Sequence, residues 1–506
     1  MKTSSLTGSG LQAGRAFAAT ALLVAATLLW WLFRAFESDV ADGFDGYYYV
    51  MQLAHLNRTG TFHSPDFNLF YLPLLAANWF LPPLQAYKTA VAFSGLLYSA
   101  GWFRVFRTRL DLPESLVMSL LVLVLPLSTF FALQFPKNLL GLAVLLFLVA
   151  ARLSGKTVET LVCLPLLFFS HRLAFVLGSA FLLCEFLLTK IDKKKTALYG
   201  VMAAAAALCV LAFLVFAHHL FPGIVSIHDL VRIAESGTDL FSYWGPVSFL
   251  SYWELWRQPA WLADFALMHA GLAIAVYSLL AISHRPQKVF ALLPLALLLP
   301  IWSFSAGSLG YRLSLNGWAL ASGLLFMSVP SMIPGKLRTL FYADNPLSSK
   351  RLHPLAYACV LLLLTGLASL SGYDHQRFNP PVALYKEIAL RADRALQGTH
   401  TDLIIAHQGI KEQIITLTER DALNWKPDTQ SPHTWRIMAN VPDYALLRYL
   451  SREEASSLQA LAAGYYLIQE AVFDRFIERL RADKQDSLLR SIDTWQNPLR
   501  QKPSFL

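Results

Sequence analysis

A succession of long apolar runs constrains this 506-residue chain more than any other feature of its sequence. The first run covers residues 16–33, and others follow along the chain up to 354–371. The chain is 55% hydrophobic and only 15% charged, whereas ordinary soluble domains are roughly 25% charged. Because about 20 apolar residues span a bilayer core, the pattern predicts an all-α polytopic membrane protein with about eleven transmembrane helices.

Some of the runs are unsuited to a straight crossing. The run 68–82 contains Pro73 and Pro82 and is followed by Pro83, so we expect it to lie along the interface or to enter the membrane partway. The runs 158–170 and 173–189, broken at Ser170-His171-Arg172, fit either two short tilted helices or one re-entrant hairpin. The run 113–133 is predicted as a single span.

Lysine and arginine are distributed unevenly over the loops between these runs. With a cytoplasmic N-terminus, 17 of them fall in cytoplasmic turns and 8 on the opposite side before Gly372. Cytoplasmic loops of membrane proteins carry the excess of positive charge. We therefore expect a cytoplasmic N-terminus, outer loops at 34–67 and 219–260, and a location in a bacterial inner membrane.

The chain changes character at Gly372, where a transmembrane domain covering 1–371 gives way to a polar segment. In residues 372–506, 34 of 135 side chains are charged, against 41 of 371 before them. The apolar periodicity there predicts helices at 385–396, 409–417 and 473–480 and strands at 402–406, 436–439 and 465–468. We expect a small α/β domain on the extracytoplasmic face that supports or selects a substrate, because it has no glycine-rich phosphate loop or nucleophile elbow.

An acidic segment, Asp39 to Tyr49 (DVADGFDGYYY), follows the first apolar run directly. A carboxylate that can reach a bilayer is normally kept only where it faces protein, a water-filled cavity or a substrate path. Asp45 is the preferred general base and Asp42 the second candidate, with Asp39 behind them. Tyr47 and Tyr48 are candidate substrate-binding residues, and the structural alternative is a solvated loop that caps a helix.

Cations on the same predicted face could bind an anionic headgroup. Arg312 stands in a short outer loop beside Tyr311, and His171 and Arg172 occupy the break between two half-length runs. Lys88 lies near the outer end of its helix. Arginine suits phosphate because its planar fork donates two parallel hydrogen bonds, but each of these cations could also be a side chain extending from a helix end toward water.

In layout and in the residues Asp42 to Tyr49 (DGFDGYYY), the chain resembles the GT-C superfamily of integral-membrane glycosyltransferases. The superfamily includes protein O-mannosyltransferases, lipid A aminoarabinose transferases and oligosaccharyltransferase catalytic subunits. Tyr311-Arg312 and Ser170-His171-Arg172 carry a weaker likeness. The resemblance implies inverting transfer of a sugar from a polyprenyl- or dolichyl-phosphate donor to an extracytoplasmic glycan, lipid or protein. In that reading Asp45 or Asp42 is the base, and Arg312 or Arg172 holds the donor phosphate.

Two features depart from that superfamily. Its common Asp-Glu pair is Asp45-Gly46 here, and Tyr243-Trp244-Gly245 lacks the acid of the oligosaccharyltransferase signature. An O-antigen-ligase-like polymer transferase and a lipid or solute transporter are the alternative functions. The sequence shows no metal-ligand spacing and identifies no cofactor, and a divalent cation is the open alternative. The partners are the lipid donor, the bilayer and the acceptor, and nucleic acid is not implied.

Overall fold

The structure is a computed structural model, and it describes residues 20–190 with short gaps at 22–23, 44 and 65–67. It also describes residues 316–327, 382–397, most of 403–424, 434–438, 465–468 and a few isolated positions. The chain forms two units. The first contains Met1–Asp39 and Pro65–His375, and the second contains Val40–Ser64 and Gln376–Leu506.

The described part of the first unit is helical. Its helices are α1 (Val24–Phe36), α3 (Tyr71–Asn78), α4 (Pro83–Arg107), α5 (Leu112–Leu123), α6 (Pro126–Gln134), α7 (Pro136–Leu153), α8 (Thr157–Ser170), α9 (Arg172–Lys190) and α10 (316–327). Helix α2 (Gly46–Thr59) lies between α1 and α3 in the sequence but belongs to the second unit.

Helices α4 and α7 pack side by side and run in the same direction. Gly101 lies against Ala143 and Leu146, and the Arg104 guanidinium lies over the Phe147 ring. Close approach at a glycine is typical of helix pairs in membranes, where small residues let two backbones come together. The N-terminal parts of both helices therefore lie toward the same end of the bundle.

Three more helices take their direction from the same kind of contact. Helix α9 runs parallel to α7, because His171 packs on Gly141 and Glu185 pairs with Arg152. Helix α8 runs antiparallel to α7, because Glu159 in its first turn pairs with Arg104 near the end of α4, and α4 is parallel to α7. The pair α8 and α9 therefore consists of two antiparallel helices, an arrangement that both predicted alternatives share.

Helix α10 is also parallel to α7. The Asn316 side-chain amide donates a hydrogen bond of 3.3 Å to the Asn138 side chain at the start of α7, and Gly323 packs on the Trp102 ring. Helices α4, α7 and α9 thus begin at one end of the bundle, which we call the Lys88 end, and the first described residues of α10 lie at the same end. The opposite end carries Arg104, Arg152 and Lys156 with Glu159 and Glu185.

This separation of the basic residues matches the two loop sets of the charge analysis, but which end faces the cytoplasm stays a prediction. Within the described residues, α7 is long and apolar enough to cross a membrane, and the pair α5 and α6 would also qualify if counted as one span. Helices α1 and α8 are apolar but shorter. The predicted spans 197–220, 289–305 and 354–371 and nearly all of 261–283 lie outside the described residues, as does the loop 219–260, so the number of spans stays a prediction.

The predicted span 113–133 is not one straight helix. Helices α5 and α6 meet at a bend of 61°, because Pro126 has no amide hydrogen with which to continue the ladder. The Ser128 hydroxyl instead donates a 2.6 Å hydrogen bond to the Val122 carbonyl. A break inside an apolar bundle is tolerated when a side chain satisfies the released backbone group in this way.

The run 68–82 forms the short helix α3, followed by Trp79 and Phe80, which are 80% and 84% exposed. Large exposed aromatic rings beside prolines agree with the expectation of an interfacial segment.

The second unit contains a four-stranded parallel sheet of order β2-β1-β3-β4. Its strands are β1 (Leu403–Ala406), β2 (Ala422–Asn424), β3 (Thr434–Met438) and β4 (Tyr465–Ile468). Helices α11 (Val382–Ala395) and α12 (Gln408–Leu417) pack with it. The predicted elements at 385–396, 402–406, 409–417, 436–439 and 465–468 each coincide with one of these, whereas the predicted helix 473–480 lies almost wholly outside the described residues.

Helix α2 belongs to this second unit and packs on α12. Met51 is fully buried in the core formed by α11, α12, β1 and β2, beside Ile410 and Ile414. The sequence analysis treated residues 34–67 as an outer loop of the 1–371 domain, and the structure differs because Val40–Ser64 groups with the C-terminal residues. An amphipathic helix of 14 residues is only marginally stable by itself, so its apolar face requires a partner, and α12 supplies it.

Replacing Met51 with alanine tests this shared core. Removing a fully buried methionine side chain costs about 2–5 kcal/mol, so Met51→Ala should lower the thermal midpoint of the second unit. Protease cleavage of the full-length protein in detergent, followed through a C-terminal tag, measures that midpoint. Leu417→Ala on the exposed side of α12 is the matched control, and an equal loss in both variants would contradict the packing.

Candidate functional site

The three aspartates of the acidic segment occupy different environments. Asp39 is exposed, whereas Asp42 is 2% exposed. Asp45 is partly buried at the N-cap position of α2, but its carboxylate makes no capping hydrogen bond. Burying a carboxylate is costly unless it is hydrogen-bonded or faces a polar group or a substrate. Asp42, the second candidate from the sequence, is the most deeply buried of the three aspartates.

The start of α2 fixes the backbone beside Asp42. A Cβ atom added to Gly46 would lie 3.0 Å from the carbonyl carbon and oxygen of Ala41, so the helix begins in direct contact with the residue that precedes Asp42. Tyr47 hydrogen-bonds to the backbone of the same alanine. Burial raises the pKa of the Tyr47 hydroxyl, the bond to Ala41 lowers it, and the Asp42 charge raises it again. The phenol therefore stays protonated near the carboxylate.

Tyr48, the other candidate substrate-binding tyrosine, points into the second unit. Its ring packs against the core that contains Met51, and its hydroxyl accepts a 2.8 Å hydrogen bond from the Gln52 amide. These contacts give Tyr48 a packing role whether or not it meets a substrate.

A polar cluster that the sequence analysis missed follows α2. The rings of His55 and His63 meet edge to face with centroids 5.3 Å apart. Asp421 lies 3.5 Å from His55 Nε2 and 2.6 Å from the Arg58 guanidinium. His63 Nε2 donates to the Ala422 carbonyl at 3.0 Å. No local motif could reveal this cluster, because its partners are about 360 positions apart in the sequence.

The half-buried His63 and the buried Lys411 give this cluster a pH-sensitive member. Burial lowers the pKa of His63, and the neighbouring Lys411 charge lowers it further, while the bond to Ala422 acts in the opposite direction. Burial also lowers the pKa of Lys411, partly offset by Glu412. The folded second unit therefore favours the neutral imidazole of His63.

In the first unit, Lys88 is 4% exposed near the start of α4. Its ammonium group donates a hydrogen bond to the Ser38 carbonyl and lies 5.4 Å from the centre of the Phe36 ring. These contacts fasten the exit of α1 to α4. They also hold a buried cation at the end of the bundle where α4, α7 and α9 begin.

His171 and Arg172 lie at the same end as Lys88. His171 joins α8 to α9 in an extended conformation and packs tightly on Gly141. Arg172 is exposed at the first position of α9. The remaining candidates, Tyr311 and Arg312, lie outside the described residues.

The candidates thus fall into two groups. Asp42, Asp45, Tyr47 and Tyr48 belong to the second unit, whereas Lys88, His171 and Arg172 belong to the Lys88 end of the first unit. Among the residues that the structure describes, no three His, Cys, Asp or Glu side chains are arranged to hold a metal ion.

No protein-family model matches this sequence, and no curated protein matches it. Solved structures do match. ArnT from Cupriavidus metallidurans bound to undecaprenyl phosphate superposes with a TM-score of 0.50 at 13% identity, over 85% of this chain and 88% of that one. The oligosaccharyltransferase AglB from Archaeoglobus fulgidus, in complex with an inhibitory peptide and a dolichol-phosphate, gives a TM-score of 0.48 at 14% identity. That match covers 79% of this chain, which spans 64% of the length of the archaeal protein.

ArnT and AglB are both GT-C glycosyltransferases. The ArnT superposition covers most of both chains, and it shows that this chain has the GT-C fold. The resemblance inferred from the sequence is thereby confirmed as a likeness of fold, and the fold is that of an integral membrane protein.

Acidification tests the role of His63. Because the folded unit favours the neutral ring, its contribution to stability is complete above the ordinary histidine pKa of about 6.5 and is lost as the pH falls from there toward the lowered folded value. We expect the thermal midpoint of the second unit to fall between about pH 7.5 and about pH 5. His63→Gln retains a donor for the Ala422 carbonyl and should make that fall smaller. An unchanged pH dependence in the variant would rule out His63 as its source.

Proposed function

We propose that this protein is an inverting glycosyltransferase that moves a sugar from a polyprenyl-phosphate donor to an extracytoplasmic glycan, lipid or protein. The observation that carries the proposal is a nearly fully buried carboxylate, Asp42, just after the first membrane helix of a GT-C fold. The ArnT structure that shares this fold holds undecaprenyl phosphate, which supports a lipid-phosphate donor. The fold also favours the transferase over the transporter alternative.

The reaction needs a base for the acceptor and cations for the leaving group. Asp42 takes the proton from the acceptor hydroxyl or amide as its oxygen or nitrogen attacks the anomeric carbon. The bond from that carbon to the phosphate oxygen breaks, and the polyprenyl phosphate leaves with the bonding electrons. Attack from the side opposite the leaving group inverts the configuration.

Roles on the donor fall to the cations of the Lys88 end. Lys88 is a buried point charge suited to a phosphate oxygen, and the first turns of α4, α7 and α9 add the positive ends of three helix dipoles there. His171 and Arg172 lie in the same region, and Arg312 remains a candidate on the sequence argument. Asp45 is the second candidate for the base, and Tyr47 remains a candidate substrate-binding residue close to Asp42.

Sugar transfer by variants with single substitutions tests which aspartate is the general base. Membrane vesicles containing the protein are supplied with a panel of undecaprenyl-phosphate hexoses and pentoses, and release of undecaprenyl phosphate is measured. Asp42→Asn keeps the shape of the side chain but removes the base, so transfer should fall about 10²- to 10⁴-fold. The exposed Asp39→Asn is the matched control and should transfer normally. If only Asp45→Asn lost sugar transfer, Asp45 and not Asp42 would be the base. Normal transfer in all three variants would refute an aspartate base in this segment.

Donor binding tests Lys88 separately from the chemistry. Lys88→Met should weaken binding of undecaprenyl phosphate about 10- to 100-fold, the usual loss for a hydrogen bond to a charged group. Lys156→Met removes a lysine at the opposite end of the bundle and should leave binding unchanged. Equal affinities in the two variants would contradict a donor role for Lys88.

A further inference from the structure

The second unit holds the acidic segment through the apolar face of α2. Met51 is fully buried among α11, α12, β1 and β2, and Tyr48 packs against the same core. The described contacts of this face are therefore made with residues from the C-terminal part of the chain. The position of α2 depends on how that part folds.

A buried amide closes the returning segment onto α2. Gln52 donates a hydrogen bond of 3.0 Å to the Ser64 carbonyl and accepts one of 3.2 Å from the Ser64 amide. The same side chain donates to the Tyr48 hydroxyl. Gln52 is fully buried, so loss of these bonds would leave its polar atoms without water as a substitute. The two ends of the segment 48–64 are thereby fixed to each other.

The far end of α2 is fastened to the connection between α12 and β2. Arg58 donates to the Thr418 carbonyl at 3.0 Å and to the Asp421 carboxylate at 2.6 Å. His63 donates to the Ala422 carbonyl at 3.0 Å. An exposed ion pair contributes little stability by itself. Here Arg58 and His63 together bond to three residues between Thr418 and Ala422, and several bonds to one short stretch fix the orientation of α2.

The near end of α2 transmits that orientation to Asp42. Gly46 touches the Ala41 backbone, and Tyr47 hydrogen-bonds to it. Asp42 is the next residue. An unbroken series of contacts thus runs from the C-terminal core through Met51 and α2 to the backbone of Asp42.

We infer that the C-terminal domain positions the acidic segment for catalysis, with Gly46 and Gln52 as positioning residues that set the placement of Asp42. This inference rests on the proposed function of Asp42 as the base. It assigns to the domain a role in the rate of the chemical step rather than in donor affinity, because the series of contacts ends at the backbone beside the base. Small displacements of a reacting group are sufficient for a large effect on the rate.

Gly46→Ala separates positioning from stability. Alanine is a better helix former than glycine, so this change should leave the thermal midpoint of the second unit unchanged or raise it. The new methyl group, 3.0 Å from the Ala41 backbone, must displace the residue beside Asp42. We expect kcat to fall about 10- to 100-fold while the KM for the donor and the affinity for undecaprenyl phosphate stay near wild type. Unchanged kcat would overturn the inference, and so would a loss of kcat accompanied by an equal loss of donor affinity.

Hydrogen exchange supplies a readout that needs no activity. Gln52→Ala in the full-length protein should speed exchange of the amides of residues 41–43 at a temperature where α11 and α12 keep their protection. Amides in α4 and α7 of the first unit serve as the internal reference and should not change. Slow exchange at 41–43 in the variant would show that Gln52 does not hold the segment.

The outcomes also distinguish this inference from the proposed function. If Asp42→Asn transfers sugar normally, the proposed function fails whatever Gly46→Ala does. If Asp42→Asn is inactive and Gly46→Ala keeps full kcat, the base assignment stands and the positioning role is refuted. Faster exchange at 41–43 together with a reduced kcat in Gln52→Ala supports both.

Discussion

Burial of one face of α2 is the constraint on which the rest of the second unit depends. A 14-residue helix with Met51 on its apolar side cannot remain folded in water by itself, and the C-terminal core supplies the missing surface. Because residues 40–64 leave the first unit and return to it, this burial joins an early segment to a domain that the chain completes more than 300 residues later. The acidic segment is therefore part of a folded domain rather than a free loop.

The first unit concentrates positive charge at one end by two independent means. Helices α4, α7 and α9 begin there, and the unpaired amides of each first turn carry a partial positive charge. Lys88, His171 and Arg172 add side chains at the same end. At the opposite end Glu159 pairs with Arg104 and Lys156, and Glu185 pairs with Arg152, so much of the charge there is neutralised within the protein.

The sequence predicted those parts of the fold that local periodicity determines. The runs 85–103 and 138–151 correspond to α4 and α7, and the segment 402–406 corresponds to β1, because burial along one element leaves a regular apolar pattern. It did not predict β2, whose three residues are too few to show any alternation. It also missed the bend between α5 and α6, because a proline such as Pro126 in an apolar run is compatible with either a mild kink or a sharp break. The hydrogen bond from Ser128 to the Val122 carbonyl, which accompanies the break, follows no local pattern in the sequence. The sequence did not predict the docking of α2, because Arg58 and Asp421 are 363 positions apart and no local pattern relates them.

The candidate site shows the same division between local and distant information. Spacing along the chain placed three aspartates close together and could not rank them by environment, so Asp45, beside the tyrosines, was preferred to Asp42. Asp42 is almost fully buried, whereas Asp45 is partly buried at the start of α2. Gly46 and Tyr47 bring the start of α2 against Ala41, the residue before Asp42. Under the proposed function, this burial keeps bulk water from competing with an acceptor for the Asp42 carboxylate.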